Sequence, residues 1–148
     1  MSDIRIQRED FDPGAEIAAL GDAAGNVGAI ASFVGVVRND GALVAMTLDH
    51  YPGFAEREIS THVAEAKKRW PALLGVRIVH RVGRLCPRER IVFAGVASSH
   101  RQAAFEAAEF LMDYLKTRAP FWKLEERASG ANWVEARSED DVSVQRWR

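Results

Sequence analysis

The sequence predicts an α+β fold with a mainly antiparallel sheet. Segments of helical and strand periodicity interleave along the chain, several strands are separated only by short turn signals, and the composition suits one core. With 148 residues, 47% of them hydrophobic and 28% charged, the chain falls in the single-domain size range, so one domain spanning 1–148 is expected.

The elements follow in order. Asp12-Pro13 reads as an N-cap followed by proline in the first helical turn, opening a short helix through Leu20. Val27 to Val37 is too continuously apolar for a half-exposed strand, so a buried strand is expected there. Asn39-Asp40-Gly41 then turns the chain into Leu43 to His50, which suggests a hairpin. After Pro52-Gly53, the residues Phe54, Ile59, Val63 and Ala66 recur at helical spacing up to Trp70-Pro71. Val76 to Val82 and Arg90 to Ala97 form a strand pair across the turn Cys86-Pro87-Arg88-Glu89. Ser99 with Gln102 reads as a capping box for a long helix near 99–118, with an apolar stripe of Ala104, Phe105, Ala108, Leu111, Met112 and Leu115. Phe121 to Glu126 and Trp133 to Ala136, joined by Ser129-Gly130, complete the sheet.

Composition excludes several classes. The 11-residue apolar run Val27–Val37 is far short of the ~20 residues a membrane-spanning helix needs. The N-terminal MSDIRIQRED has no apolar segment behind a basic start, so a cytoplasmic protein is expected, and the lone Cys86 agrees. No CxxC or Cys/His cluster is present, so no metal or cofactor is expected. Arg77 to Arg127 carries ten Lys/Arg against six Asp/Glu, a balance of +4 in a chain of net charge -1. An anionic ligand is therefore sought in the C-terminal half, whereas the pI near 6.4 disfavours nucleic acid.

Candidate chemistry concentrates at the ends of the long helix. His100 and Arg101 sit in its first turn, where free backbone N–H groups and the helix dipole favour an anion, and Arg38, leaving the buried strand, is a candidate second arginine for the same phosphate. Solvated residues beyond a helix cap would look the same. Lys116 lies in the last turn and Lys123 just past Pro120, so a chain reversal could bring both ammonium groups to one pocket, where repulsion and desolvation would lower a lysine's pKa. A lysine that merely complements the helix dipole would occupy the same position. His50-Tyr51-Pro52-Gly53 reads as a strand-to-helix corner, Phe33, Met112, Phe121 and Trp122 as core, and His62 and His80 as structural or solvated. Neither a GxGxxG or GxxxxGK[ST] phosphate loop nor a GxSxG elbow occurs.

The stretches Phe33-Val34-Gly35-Val36-Val37-Arg38, Leu48-Asp49-His50-Tyr51-Pro52-Gly53, Ser99-His100-Arg101 and Met112 to Lys123 (MDYLKTRAPFWK) resemble the molybdopterin synthase large-subunit family. His80-Arg81-Val82-Gly83 and Trp133 to Arg137 extend the resemblance over nearly all of the chain beyond its first 25 residues. It implies an α/β hammerhead-type fold, a central homodimer, and a small ubiquitin-like sulfur-carrier subunit at each end of a heterotetramer. The carrier's thiocarboxylated Gly-Gly tail would deliver sulfur twice to cyclic pyranopterin monophosphate. On this resemblance Lys116 and Lys123 match catalytic positions, and Phe33, Arg38, His100, Arg101 and Arg137 match substrate-binding or pocket positions. Cys86 falls outside the functional motifs, and a tail ending in Trp147 is a candidate for packing on a partner. Two other readings share the same residues: a non-catalytic module that captures the tail of a ubiquitin-like protein, and an unrelated phosphate-ester enzyme.

Overall fold

A computed structural model describes residues 1–117, 121–134 and 138–147. Along them run β1 (Ser2–Gln7), α1 (Pro13–Gly21), β2 (Ala29–Val36), β3 (Leu43–His50), α2 (Phe54–Arg69), β4 (Leu73–Arg81), β5 (Gly83–Leu85), β6 (Arg90–Ser98), α3 (Arg101–Thr117), β7 (Phe121–Arg127), β8 (Gly130–Val134) and α4 (Ser138–Gln145). The strands make two four-stranded sheets, ordered β1-β4-β6-β2 and β5-β3-β7-β8. Pairing is antiparallel except between β1 and β4.

The first sheet is a two-sided core. On β4 and β6, Val76, Ile78, Val92, Ala94 and Val96 pack with Ile59 and Val63 of α2 and with Ala107, Phe110 and Leu111 of α3. The alternate residues Val79, Phe93 and Ala97 meet Leu20 of α1 and Phe11 on the opposite face. Burial on both faces explains the near-continuous apolar runs of these strands. Asp12 caps α1 by accepting from the Gly14 N–H at 2.9 Å, with Pro13 in the first turn as the sequence predicts. Glu16 of α1 is buried between Arg5 of β1 and Arg77 of β4. Burial alone would raise its pKa, but hydrogen bonds from the two guanidinium groups outweigh burial and leave the carboxyl below its ordinary value.

Three expectations are corrected. β2 and β3 do not form a hairpin: β2 pairs with β6, and β3 pairs with β5 and β7. Asp40 does turn the chain, accepting from the Ala42 and Leu43 N–H groups at 2.9 and 3.0 Å. A local turn fixes direction but not the later partner, and here the pairing with β7, distant in sequence, wins. Nor is β2 fully buried. It lies at a sheet edge, leaving Ile30, Phe33 and Val36 exposed. The expected capping box at α3 is replaced by a different arrangement: Ser98, fully buried, accepts from the His100 N–H and donates to the Ala72 carbonyl, both at 3.2 Å, while Gln102 reaches Glu106 instead.

Gly28 is fixed by close approach at this same junction. Its N–H donates to the Ser98 carbonyl at 2.9 Å, and a Cβ there would stand 2.4 Å from the Ser99 oxygen. The start of β2 is thereby pinned beside the start of α3. At the other end of the chain, α4 returns to α3, where Trp147 packs edge-on against Trp70 and Phe110 and donates to Asp113. The tail expected to suit a partner packs on its own chain.

Candidate active site

One strand builds most of the site by alternation. Phe121, Lys123, Glu125 and Arg127 point to one face of β7 and line a cleft of about 460 Å³, a size suited to a small-molecule ligand. Across the antiparallel pair, Leu48 stands opposite Lys123 and Met46 opposite Glu125, and both join the lining. On the other side Lys123 pairs with Val134, which closes the wall from β8. The intervening residues face away, so Trp122 contacts Tyr51 with ring centroids 4.8 Å apart and borders a shallow depression with Asp49 and Trp133.

The first sheet and α3 supply the opposite wall. α3 delivers Leu115, Lys116 and Thr117, and the chain leaving β2 delivers Val37, Arg38 and Asp40. Arg127 pairs with Asp40 and Glu125 at 3.3 and 3.2 Å. Hydrogen bonds from the Ala42 and Leu43 amides hold the Asp40 carboxyl below its usual pKa, with Arg127 adding to them. Among the described residues four cationic side chains thus face two carboxylates around the cleft, leaving their balance net positive and suited to anions.

His80 also borders this cleft. Its ring lies flat on Phe121, with centroids 3.8 Å apart and planes within 10°, and Nδ1 sits 2.9 Å from the Arg81 carbonyl oxygen. Since a carbonyl only accepts, Nδ1 carries the proton. Burial is the main cause depressing its pKa to about 4; the Arg81 carbonyl opposes the shift, and the Lys116 and His50 charges add to it. His80 is therefore neutral near pH 7.

Lys116, Lys123 and Arg38 are brought together, as is Phe121. His100 and Arg101 lie elsewhere in this chain. α3 rises about 1.5 Å per residue, so roughly 22 Å of helix separates Arg101 from Lys116. β2 starts beside Ser98 and ends beside Arg90, and so carries Arg38 away from Arg101 rather than toward it. The expected convergence of Arg38 with Arg101 does not occur within one chain. Phe33 stands on β2 with 40% of its surface exposed, and Arg137 lies outside the described residues. The sequence reading missed His80, Glu125 and Arg127. For the last two a signal existed, since residues two and four beyond Lys123 share its face on any strand.

The family model described as MoaE protein matches residues 6–118. The chain belongs to the MoaE family. Curated relatives agree along nearly the full length. The molybdopterin synthase catalytic subunit of Mesorhizobium japonicum is 55% identical over 148 residues, covering 98% of this chain and 92% of that protein. Its Pseudomonas aeruginosa counterpart is 55% identical over 147 residues, covering 97% of each. Among solved structures, a MoaE protein from Burkholderia ambifaria superposes with a TM-score of 0.87 at 52% identity over 99% of this chain and 98% of that one. Molybdopterin synthase from Staphylococcus aureus does so with a TM-score of 0.79 at 27% identity, covering 88% and 95%.

Proposed function

We infer that this chain is the catalytic subunit of a molybdopterin synthase. On this reading it transfers sulfur from the thiocarboxylated C-terminus of a small ubiquitin-like carrier to cyclic pyranopterin monophosphate, acting as a sulfurtransferase in molybdenum cofactor biosynthesis. The observation that carries the reading is the convergence of Lys116, Lys123 and Arg38 in one net-positive cleft of a chain whose relatives bear that name. Thiocarboxylate and phosphate are both anions. Ammonium and guanidinium groups fixed in one cleft would bind them and stabilise charge redistributed as the cyclic phosphate opens.

Lys116, at the end of α3, is assigned to the thiocarboxylate, and Lys123 to proton transfer or substrate binding. Arg38 would grip the phosphate. Because His100 and Arg101 lie about 22 Å along α3 from Lys116, we assign them to the cleft of a second copy in a homodimer, with the carrier completing a heterotetramer. We place the protein in the cytoplasm; among the described residues no helix is long and apolar enough to cross a membrane, and the single exposed cysteine suits a reducing compartment.

Single-turnover conversion of cyclic pyranopterin monophosphate with thiocarboxylated carrier tests the reading. Wild type should form molybdopterin, while Lys116→Ala and Lys123→Ala should fold and bind carrier yet fail to convert. Tight carrier binding without any conversion by wild type would leave a tail-capturing module instead.

A further inference from the structure

We propose that His80 is a positioning residue for Lys116, accepting a hydrogen bond from its ammonium through Nε2. The role rests on the sulfur-transfer reading of the cleft; the contact itself does not.

The fold sets the ring in place in three ways. Val76, Ile78 and His80 alternate on β4, and the first two face α2 and α3, so His80 points to the same side. The register places His80 opposite Val92, near the start of β6; this is the end of the sheet reached by the last turn of α3. Phe121 then covers one ring face and the Arg81 carbonyl holds Nδ1. Tilt and rotation are both fixed, and Nε2 is the ring's second polar atom.

A buried imidazole costs more than an apolar ring of similar shape unless its polar atoms find partners. Among the described residues, the titratable groups facing it are Lys116 from α3 and His50 from β3, with Lys123 of β7 on the same cleft. Arg81 is turned aside to Arg8, Glu89 and Arg90. Lys116 and His50 both act on the ring through their charge, and a lysine ammonium always has protons to donate to a lone pair. A neutral acceptor also suits the chemistry. It fixes the direction of the ammonium without cancelling its charge, as a carboxylate in its place would, and so leaves that charge for the incoming anion.

The test reads the contact and the catalysis separately. With neither carrier nor pterin present, the pH midpoint of Lys116 acylation by an amine reagent is compared in wild type, His80→Phe and His80→Gln. Losing an acceptor destabilises the charged lysine, so the midpoint should fall by about one unit in His80→Phe and return toward wild type in His80→Gln. Single-turnover sulfur transfer should slow about tenfold in His80→Phe, matching a one-unit change, with unchanged carrier affinity and partial rescue in His80→Gln. The 15N spectrum of wild type, which needs no variant to fold, should show Nε2 unprotonated near pH 7. A protonated Nε2, an unmoved midpoint, or equal slowing in both variants would overturn the proposal. Should the midpoint move as expected while Lys116→Ala turns over normally, the contact stands and the sulfur-transfer reading falls.

Discussion

At its C-terminal end α3 is gripped from several sides. Phe110, Leu111 and Leu115 are buried there, Trp147 packs against Phe110, and Lys116 enters a cleft shared with Arg38, Lys123 and Arg127. At its N-terminal end the same helix buries only small residues, Ala103, Ala104 and Ala107, and its other face is open: Phe105 is 67% exposed and Arg101 lies at the surface. Both ends carry basic residues of the kind that bind anions. What separates them is convergence, because side chains from β2, β7 and β8 meet Lys116, whereas among the cleft's lining residues none lies near Arg101. Charge type marks a candidate position, and only the packing of distant strands turns a candidate into a site.

The contrast is broken or confirmed most strongly by mixing variants. Lys116→Ala alone should lose at least about 100-fold in sulfur transfer, and so should Arg101→Ala if its guanidinium serves a second copy. Co-refolded in equal amounts, the two should recover about a quarter of wild-type activity, because mixed dimers would each retain one intact cleft. No recovery would place both residues in the cleft of the same chain.

Stability should divide along the same line. Phe110→Ala, at a fully buried position, should cost about 3–5 kcal/mol in denaturant unfolding. The same change at Phe105 should stay within about 0.5 kcal/mol. A large loss at Phe105 would mean that this face is covered in solution, as a dimer would cover it.

A smaller effect depends on pH. His80 is neutral in the fold with a pKa of about 4, against an ordinary value of 6.5. Between these values the unfolded chain binds a proton that the folded chain does not, so stability falls as pH drops from 6.5 toward 4 and is fully present above 6.5. Thermal melts across this window should show a shallower slope for His80→Phe than for wild type. Identical slopes would remove His80 as the titrating group.

The smallest effect concerns the helix start. Ser98→Ala should cost about 1 kcal/mol, because two buried hydrogen bonds pass through its hydroxyl. Ser99→Ala should be nearly neutral. The reverse order would restore the capping box that the sequence suggests.

These cases show what the chain's order makes legible. Helices α1, α2 and α3, the β4–β6 pair, the strand β7 and the convergence of Lys116 with Lys123 follow from periodicity, turn residues and local reversal, whereas β8 starts at Gly130, inside the turn the sequence suggests, and Glu135 and Ala136 of the expected strand lie outside the described residues. β1 was not legible, because a strand pairing in parallel with β4 some seventy residues away carries no local turn signal. The separation of β2 from β3 was hidden for the same reason. From sequence alone His80 is no more than a structural or solvated histidine, because its neighbours in sequence say nothing of Phe121 or Lys116, both of which reach it only through the tertiary fold. α4 and its Trp147 anchor fall where the sequence pattern is weakest.

The alternation of β7 has a consequence for how this site can change. Substitutions at Lys123 or Glu125 alter one group and leave the rest, but inserting or deleting a single residue at the start of the strand would exchange its faces. Trp122, Leu124 and Glu126 would then turn into the cleft, and Lys123, Glu125 and Arg127 would turn out beside Trp133. The site is written in the parity of a strand seven residues long. Drift by point substitution can tune it, whereas a change of length at this position can only be tolerated in twos.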